Sequence, residues 1–226
     1  MITVVGLGPS DYKQISVGAR KALRSAPTVF VRTSRHPAID GLAKDGIKFI
    51  SFDNIYESAK SFDEVYSRIA KLVLEEANRS AEVVYAVPGH PLIGEESVRI
   101  LLREASNKRI PIRIVGSESF IEASLEALGI VLGEGLKILD ALAIGKVRPD
   151  LDTGNLIYQV YDKLIASEVK LALMEVYPDD YQINIISAAG TPEQKVREIP
   201  LFELDRYEFD HLTTVYIPPM GDQSER

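Results

Sequence analysis

Short continuous runs rich in Val and Ile alternate along this chain with longer stretches in which apolar residues return at every third or fourth position. Unbroken β-branched runs suit strands covered on both faces, and the longer stretches suit helices that bury one stripe. The runs predict strands at residues 2–6, 28–31, 48–52, 82–86 and 112–115, then a second series at 155–159, 182–187, 196–200 and 213–217. The helical period is clearest over 61–78, where Phe62, Val65, Tyr66, Ile69, Leu72 and Val73 recur with helical spacing and Ser61 with Glu64 spells a capping box. Helices are also predicted over 17–26, 95–106, 120–128 with Gly129 as the stop, and 167–176 closed by Tyr177-Pro178. Alternating strands and helices make this an α/β protein. The stretch 129–152, with Gly133, Gly135, Gly145 and Pro149, is the weakest in pattern and separates the two series of strands. A division near residues 116–125 is expected, giving an N-terminal α/β subdomain at 1–116, a C-terminal one at 117–220 and a polar tail at 221–226.

Composition narrows the class. At 226 residues, 46% hydrophobic and 26% charged, the chain sits at the average for folded globular proteins. No apolar run approaches the roughly 18 to 20 residues of a membrane helix, and the opening Met1-Ile2-Thr3-Val4-Val5 has no basic leader, so a cytoplasmic protein is expected. With no cysteine there is no disulfide framework, thiolate zinc site or catalytic thiol, and His36, His90 and His211 form no closely spaced metal-binding pair. A formal charge of -7 argues against nucleic acid as the partner, because that affinity comes from neutralising phosphates with Lys and Arg.

Four loops of small residues at strand ends carry the candidate chemistry. Gly6-Leu7-Gly8-Pro9 follows the first strand, but a dinucleotide fingerprint needs a third glycine where Asp11 stands. Pro9 also lacks an amide donor, and the strand ending at Val31 meets Arg32 rather than a ribose-binding acid, although Arg32 suits an NADP phosphate. The loop from Val87 to Glu95 packs Pro88, Gly89, Pro91 and Gly94 into one stiff path around His90. Val115-Gly116-Ser117-Glu118-Ser119-Phe120 again runs from strand through loop to helix, and Ala188-Ala189-Gly190-Thr191 leaves room for a flat ligand against main chain. Each loop alone is equally well read as a cap or a turn. Together they mark a crevice at the carboxyl ends of strands, where open α/β sheets bind ligands.

In their order, these loops resemble those of the tetrapyrrole methylase superfamily of S-adenosylmethionine-dependent methyltransferases. That family opens with G-x-G-P-G, then carries a G-[DH]-P loop, a V-x-G-x-[ST] loop and a late G-T-x-x-Q segment. The matching residues are Gly6 to Ser10, Gly89-His90-Pro91, Val115 to Ser119 and Gly190 to Gln194. Within the superfamily the chain is similar to the N-terminal half of bacterial proteins whose other half is a MazG-type nucleoside triphosphate pyrophosphatase. Val31 to Pro37, Val87 to Leu92, Gln159 to Asp162, Met174 to Tyr181 and Pro200 to Arg206 carry that similarity. The pyrophosphatase half has no counterpart in these 226 residues, so the chain is expected to be either a piece of such a fusion or a free-standing relative. Ser10 replaces the last glycine of the first motif, and His90 replaces an aspartate of the vitamin-pathway methylases.

The resemblance implies two α/β subdomains holding the cofactor between them, a homodimer, and S-adenosylmethionine leaving as S-adenosylhomocysteine. Cofactor contacts are implied at Pro9, Gly89, His90, Ile93, Ser119, Phe120, Val160, Tyr161, Ala189, Gly190 and Thr191, many through backbone atoms. Transfer from a sulfonium needs geometry rather than a protein nucleophile. A proton shed by the acceptor can pass to water through Tyr161, His90 or His36, with His90 preferred and Tyr161 second. Arg32, Arg35 and His36 suit an acceptor with carboxylates or phosphates, or are simply a solvated basic loop. A non-catalytic module that binds the cofactor or docks a pyrophosphatase is the alternative to an active methyltransferase acting on a small, tetrapyrrole-like acceptor.

Overall fold

The computed structural model describes residues 1–133 and 135–221, which form two compact units divided after Phe120. All but Gly221 of the polar tail expected at 221–226 lies outside the described residues.

The first unit is a parallel sheet with helices on both faces. Its strands are β1 (Ile2–Gly6), β2 (Thr28–Val31), β3 (Ile50–Ser51), β4 (Val83–Val87) and β5 (Ile112–Val115), in the spatial order β3-β2-β4-β1-β5. β1 pairs in parallel with β4 on one side and β5 on the other, and its five residues are all buried, as the unbroken apolar runs required. Side chains alternate across the pleat. Ile2, Val4, Val83 and Tyr85 pack with α3 (Asp53–Ser58), α4 (Phe62–Arg79) and α5 (Glu96–Asn107), while Val5, Val29, Val31 and Val84 pack with α1 (Val17–Ser25) and α2 (Ile39–Lys44). Each fully buried Val or Ile contributes roughly 1.5 to 3 kcal/mol of transfer free energy. The Ser61 hydroxyl caps α4 by accepting from Glu64 N–H at 3.3 Å, as the sequence pattern predicts. Glu64 reaches back to Lys60 N–H at 3.0 Å, one residue beyond the N-cap N–H that a full capping box would use.

The second unit is a mixed sheet in the order β6-β7-β10-β8-β9, built from β6 (Leu136–Asp140), β7 (Gly154–Tyr158), β8 (Gln182–Ser187), β9 (Lys195–Pro200) and β10 (Thr213–Ile217). β10 runs antiparallel to both β7 and β8, so those two strands point the same way and their carboxyl ends share one edge of the sheet. Ile157, Ile183, Ile185, Val215 and Ile217 pack on α7 (Lys163–Met174) through Ile165, Val169 and Leu173. On α6 (Phe120–Leu128) Ser124 shares a 3.2 Å hydrogen bond with Thr214 of β10. Gly129, at φ +65, ends α6 as expected, with Ile130 N–H returning to the Leu125 carbonyl.

Five elements differ from the sequence expectation. β6 falls inside the stretch of weakest pattern, as an edge strand between glycines. α7 begins at Lys163 rather than 167, because the Asp162 carboxylate accepts from Ile165 N–H at 2.8 Å and starts the helix a turn earlier. β3 is only two residues long, and the short helices α2 and α3 were not predicted.

Candidate functional site

In the first unit the ends of three neighbouring strands interlock. Gly8 N–H donates to the Gly89 carbonyl at 3.2 Å and Gly89 N–H donates back to the Gly8 carbonyl at 2.8 Å, joining the loops after β1 and β4. The Ser117 hydroxyl, after β5, donates to the Gly6 carbonyl at 2.7 Å. A Cβ on Gly6 would lie 2.5 Å from the Gly89 carbonyl oxygen and 2.9 Å from Pro91 Cδ, so the closeness of these loops depends on that glycine. Gly8 and Gly89 have φ of +76 and +60, and the space where a side chain on Gly89 would point is open for 4 Å. Pro9 and Ile93 are partly exposed on the same two loops, while Ser119 is buried ahead of Phe120.

His90 lies against Gly116, where an added Cβ would fall 2.5 Å from Nε2. Leu92 N–H donates to its Nδ1 at 3.1 Å, so the hydrogen-bond pattern assigns the proton of the neutral ring to Nε2. Nearby, Arg32 turns inward, with Nε 3.4 Å from Glu95 and Nη1 donating to the Tyr56 hydroxyl at 3.3 Å. Ser97 links this pair to Tyr85, at 2.8 Å from its hydroxyl and 3.4 Å from Glu95. Burial raises the Glu95 carboxyl above its usual range while Arg32 pulls it down, and the guanidinium stays charged. Burial also lowers His36 to about 4, with the Arg32 charge adding to the effect and the hydrogen bond to Gly8 opposing it. The basic residues after β2 therefore separate: Arg32 sits on Glu95, His36 is bonded to Gly8, and Arg35 is exposed.

The loop holding these residues is braced by Asp53. Its carboxylate accepts from the Thr33 hydroxyl at 2.6 Å, Ser34 N–H at 2.9 Å, the Ser51 hydroxyl at 2.6 Å and the Ser34 hydroxyl. Burial works to raise the pKa of Asp53, but these donors outweigh it and hold the group well below the usual carboxylate range.

The second unit places its candidate residues in two loops at one edge of its sheet. Val160 is fully buried and Tyr161 is 39% exposed, just after Gln159 with φ +64. Ala189, Gly190 and Thr191 follow Ala188 with φ +51, and the Ala188 carbonyl accepts from both the Thr191 N–H and hydroxyl. Gln194 closes this loop by accepting from Gly190 N–H at 2.8 Å. β10 lies between the two parent strands, so the loops emerge roughly 10 Å apart. Among the described residues, Arg109, Gln159 and Ala188 are the non-glycine positions with positive φ. Strain of this kind tends to collect at functional sites, and two of the three residues open the loops singled out in the sequence.

The pattern characteristic of tetrapyrrole (corrin/porphyrin) methylases matches residues 1–205. The chain belongs to that family. It is 43% identical over 223 residues to the YabN protein of Bacillus subtilis (strain 168), covering 98% of this chain and 45% of YabN. The chain thus spans about half the length of that curated relative. Among solved structures it is similar to the uroporphyrin-III C-methyltransferase of Thermus thermophilus complexed with S-adenosylhomocysteine, with TM-score 0.70 and 19% identity over 95% of each chain. It is also similar to the cobalt precorrin-4 methyltransferase CbiF, with TM-score 0.72 and 15% identity over 95% of this chain and 93% of the other. A diphthine synthase aligns with TM-score 0.68 and 19% identity over 96% of this chain and 89% of the other. The family's α/β fold is therefore this chain's fold. No helix among the described residues is long and apolar enough to cross a membrane.

Glu95, Asp53, Ser117 and Gln194 fasten these loops, a role their residue types alone do not signal. Gln194 was visible as the last letter of G-T-x-x-Q. Ser117 lay within the loop after Val115, but its bond to Gly6, like the ion pair between Arg32 and Glu95 63 positions apart, depends on the order of strands.

Proposed function

We propose that the chain is an S-adenosylmethionine-dependent methyltransferase acting on a small, tetrapyrrole-like acceptor. The supporting observation is the backbone: left-handed residues open or lie within the loops at Gly8, Gly89, Gln159 and Ala188–Gly190, the loops at which the resemblance to the family implies cofactor contacts. The open, left-handed main chain at Gly89 suits a ligand held through backbone atoms. In the first unit the proposed cofactor contacts are Pro9, Gly89, His90, Ile93, Ser119 and Phe120. In the second they are Val160, Tyr161, Ala189, Gly190 and Thr191. A cytoplasmic homodimer completes this reading.

When bound, S-adenosylmethionine supplies a sulfonium methyl: the acceptor's electron pair forms the new bond to carbon as the carbon–sulfur bond breaks, leaving S-adenosylhomocysteine. The chain's own work is to hold and orient. His90, with Nδ1 already accepting from Leu92, offers Nε2–H as a donor, which suits orienting an oxygen better than removing a proton. The exposed Tyr161 is the better route for an acceptor proton to reach water. Arg35 is the exposed cation for an anionic acceptor group, with Arg32 and His36 already engaged behind it.

Isothermal calorimetry with S-adenosylhomocysteine tests the cofactor, and transfer of a labelled methyl to tetrapyrroles tests the reaction. Micromolar binding is expected, and no heat at high micromolar cofactor overturns the reading. A second reading is a module that binds S-adenosylmethionine without turnover and docks a MazG-type nucleoside triphosphate pyrophosphatase. It is favoured by the chain spanning 45% of YabN, which leaves room for a further domain in that relative. Binding without methyl transfer to any tetrapyrrole is its signature.

A further inference from the structure

Two turns in the first unit are built alike. His36-Pro37 follows β2 and His90-Pro91 follows β4, and in each the backbone N–H two residues beyond the histidine donates to Nδ1, from Ala38 at 3.2 Å and from Leu92 at 3.1 Å. A ring nitrogen that accepts cannot also carry a proton, so both neutral rings hold their hydrogen on Nε2. At His36 that hydrogen is donated to the Gly8 carbonyl at 3.1 Å. The same carbonyl accepts from Gly89 N–H at 2.8 Å, so its two lone pairs are shared between the loops after β2 and β4.

We propose that His36 is a positioning residue: as a neutral Nε2–H donor it orients the Gly8 peptide and so holds the reciprocal Gly8–Gly89 pair in its ligand-binding shape. The proposal rests on the cofactor reading above for its consequence, but not for its geometry. Gly8 is in the left-handed region at φ +76 and its carbonyl belongs to the peptide with Pro9, whose ring fixes its own φ, so ψ of Gly8 is the rotation that an external bond to the carbonyl has to hold. The loop that carries His36 is itself fixed, because Asp53 ties Thr33 and Ser34, just before it, to Ser51 of β3. Arg32 is the charged group acting on the ring, and together with burial it keeps the ring neutral at neutral pH. A charged ring would protonate Nδ1 and break the bond from Ala38.

Three measurements on the whole chain test the latch: the His36 tautomer by nitrogen-15 NMR, exchange of the Gly89 amide, and S-adenosylhomocysteine affinity by calorimetry. Wild type is expected to show the Nε2–H tautomer at pH 7.5 and a protected Gly89 amide. In His36→Leu, Gly89 is expected to exchange about tenfold faster, with S-adenosylhomocysteine bound about tenfold more weakly. His36→Gln, whose side-chain amide can reach the same carbonyl, is expected to recover both to within about threefold. An Nδ1–H tautomer, a charged ring, or unchanged Gly89 exchange in His36→Leu overturns the latch. If His36→Leu does not fold, the wild-type tautomer and His36→Gln decide. If Gly89 exchange responds as expected but wild type binds no S-adenosylhomocysteine, the latch stands and the cofactor reading falls.

Discussion

The two units face the same problem, a chain that must turn sharply where a strand ends, and they use different residues to do it. The first unit uses glycine, with Gly8 at φ +76 and Gly89 at φ +60. The second puts Gln159 at φ +64 and Ala188 at φ +51, where a Cβ makes the left-handed region cost roughly 1 to 2 kcal/mol. At these strand ends the first unit thus avoids strain but depends on bare main chain at close approach, its left-handed Arg109 lying instead just beyond α5. The second accepts strain and holds it by packing, with Val160 fully buried beside Gln159 and the Ala188 N–H donating to the Leu212 carbonyl at 3.0 Å. If this contrast is right, adding a methyl should damage the first unit and removing one should relax the second.

The largest effect is expected at Gly6. In Gly6→Ala the new Cβ meets the Gly89 carbonyl at 2.5 Å and Pro91 Cδ at 2.9 Å, and neither can move without breaking the Gly8–Gly89 pair. A loss of about 3 kcal/mol or more is expected in denaturant titration, with cofactor binding abolished. A fall below 1 kcal/mol would mean that the loops are looser than their geometry shows.

Acid gives the next effect, and it also separates the units. His36 is held at about 4 in the folded chain against an ordinary value of 6.5. Between those pH values the unfolded chain binds a proton that the folded chain does not, so stability falls as pH drops through that window, by up to about 3 kcal/mol. His36 belongs to the first unit, which is therefore expected to open first on acidification. His36→Leu should flatten this dependence, as measured by unfolding at stepped pH. Asp53, held below the usual carboxylate range by its donors against the effect of burial, adds its loss only at lower pH.

Much of this contrast was legible in the residues. Apolar runs placed strands at Ile2–Gly6, Thr28–Val31, Ile112–Val115, Gln182–Ser187 and Thr213–Ile217, and Ile2–Gly6 and Thr213–Ile217 are buried at every residue, as covered faces require. β6 was not so placed, because Leu136 and Ile138 of this edge strand remain partly exposed between glycines and make no continuous run. Asp162 was read as part of a motif, which hid its role as the cap of α7. At the site, the loops announced themselves through glycine and proline, but their fastening did not. The bonds from Ser117 to Gly6 and from His36 to Gly8 join residues 111 and 28 positions apart, and only the strand order brings them together. Left-handed Gln159 and Ala188 were equally invisible, since neither residue type signals positive φ.

A milder break of the first unit is Gly89→Ala. Nothing stands within 4 Å of the new Cβ, so the cost is the left-handed φ alone, about 1 to 2 kcal/mol. Affinity for S-adenosylhomocysteine should fall more than stability, because the added methyl occupies the space proposed for the ligand. Loss of stability at unchanged affinity would remove Gly89 from the cofactor contacts.

The smallest effect has the opposite sign. Replacing Ala188 by glycine removes roughly 1 to 2 kcal/mol of left-handed strain and adds about 0.5 to 1 kcal/mol of backbone entropy to the unfolded chain. The difference favours the folded state by about 0.5 kcal/mol, and a small rise in the denaturant midpoint of the second unit, at unchanged slope, is the expected result. Binding should move the other way, because glycine lets the 188–191 loop leave the shape that Thr191 and Gln194 hold, and an affinity for S-adenosylhomocysteine lower by about two- to threefold is expected. A gain in stability with a loss in affinity would show that the second unit keeps its strained residue for the ligand. A loss in both would mean that the alanine methyl makes a packing contact of its own and that the left-handed turn is no burden.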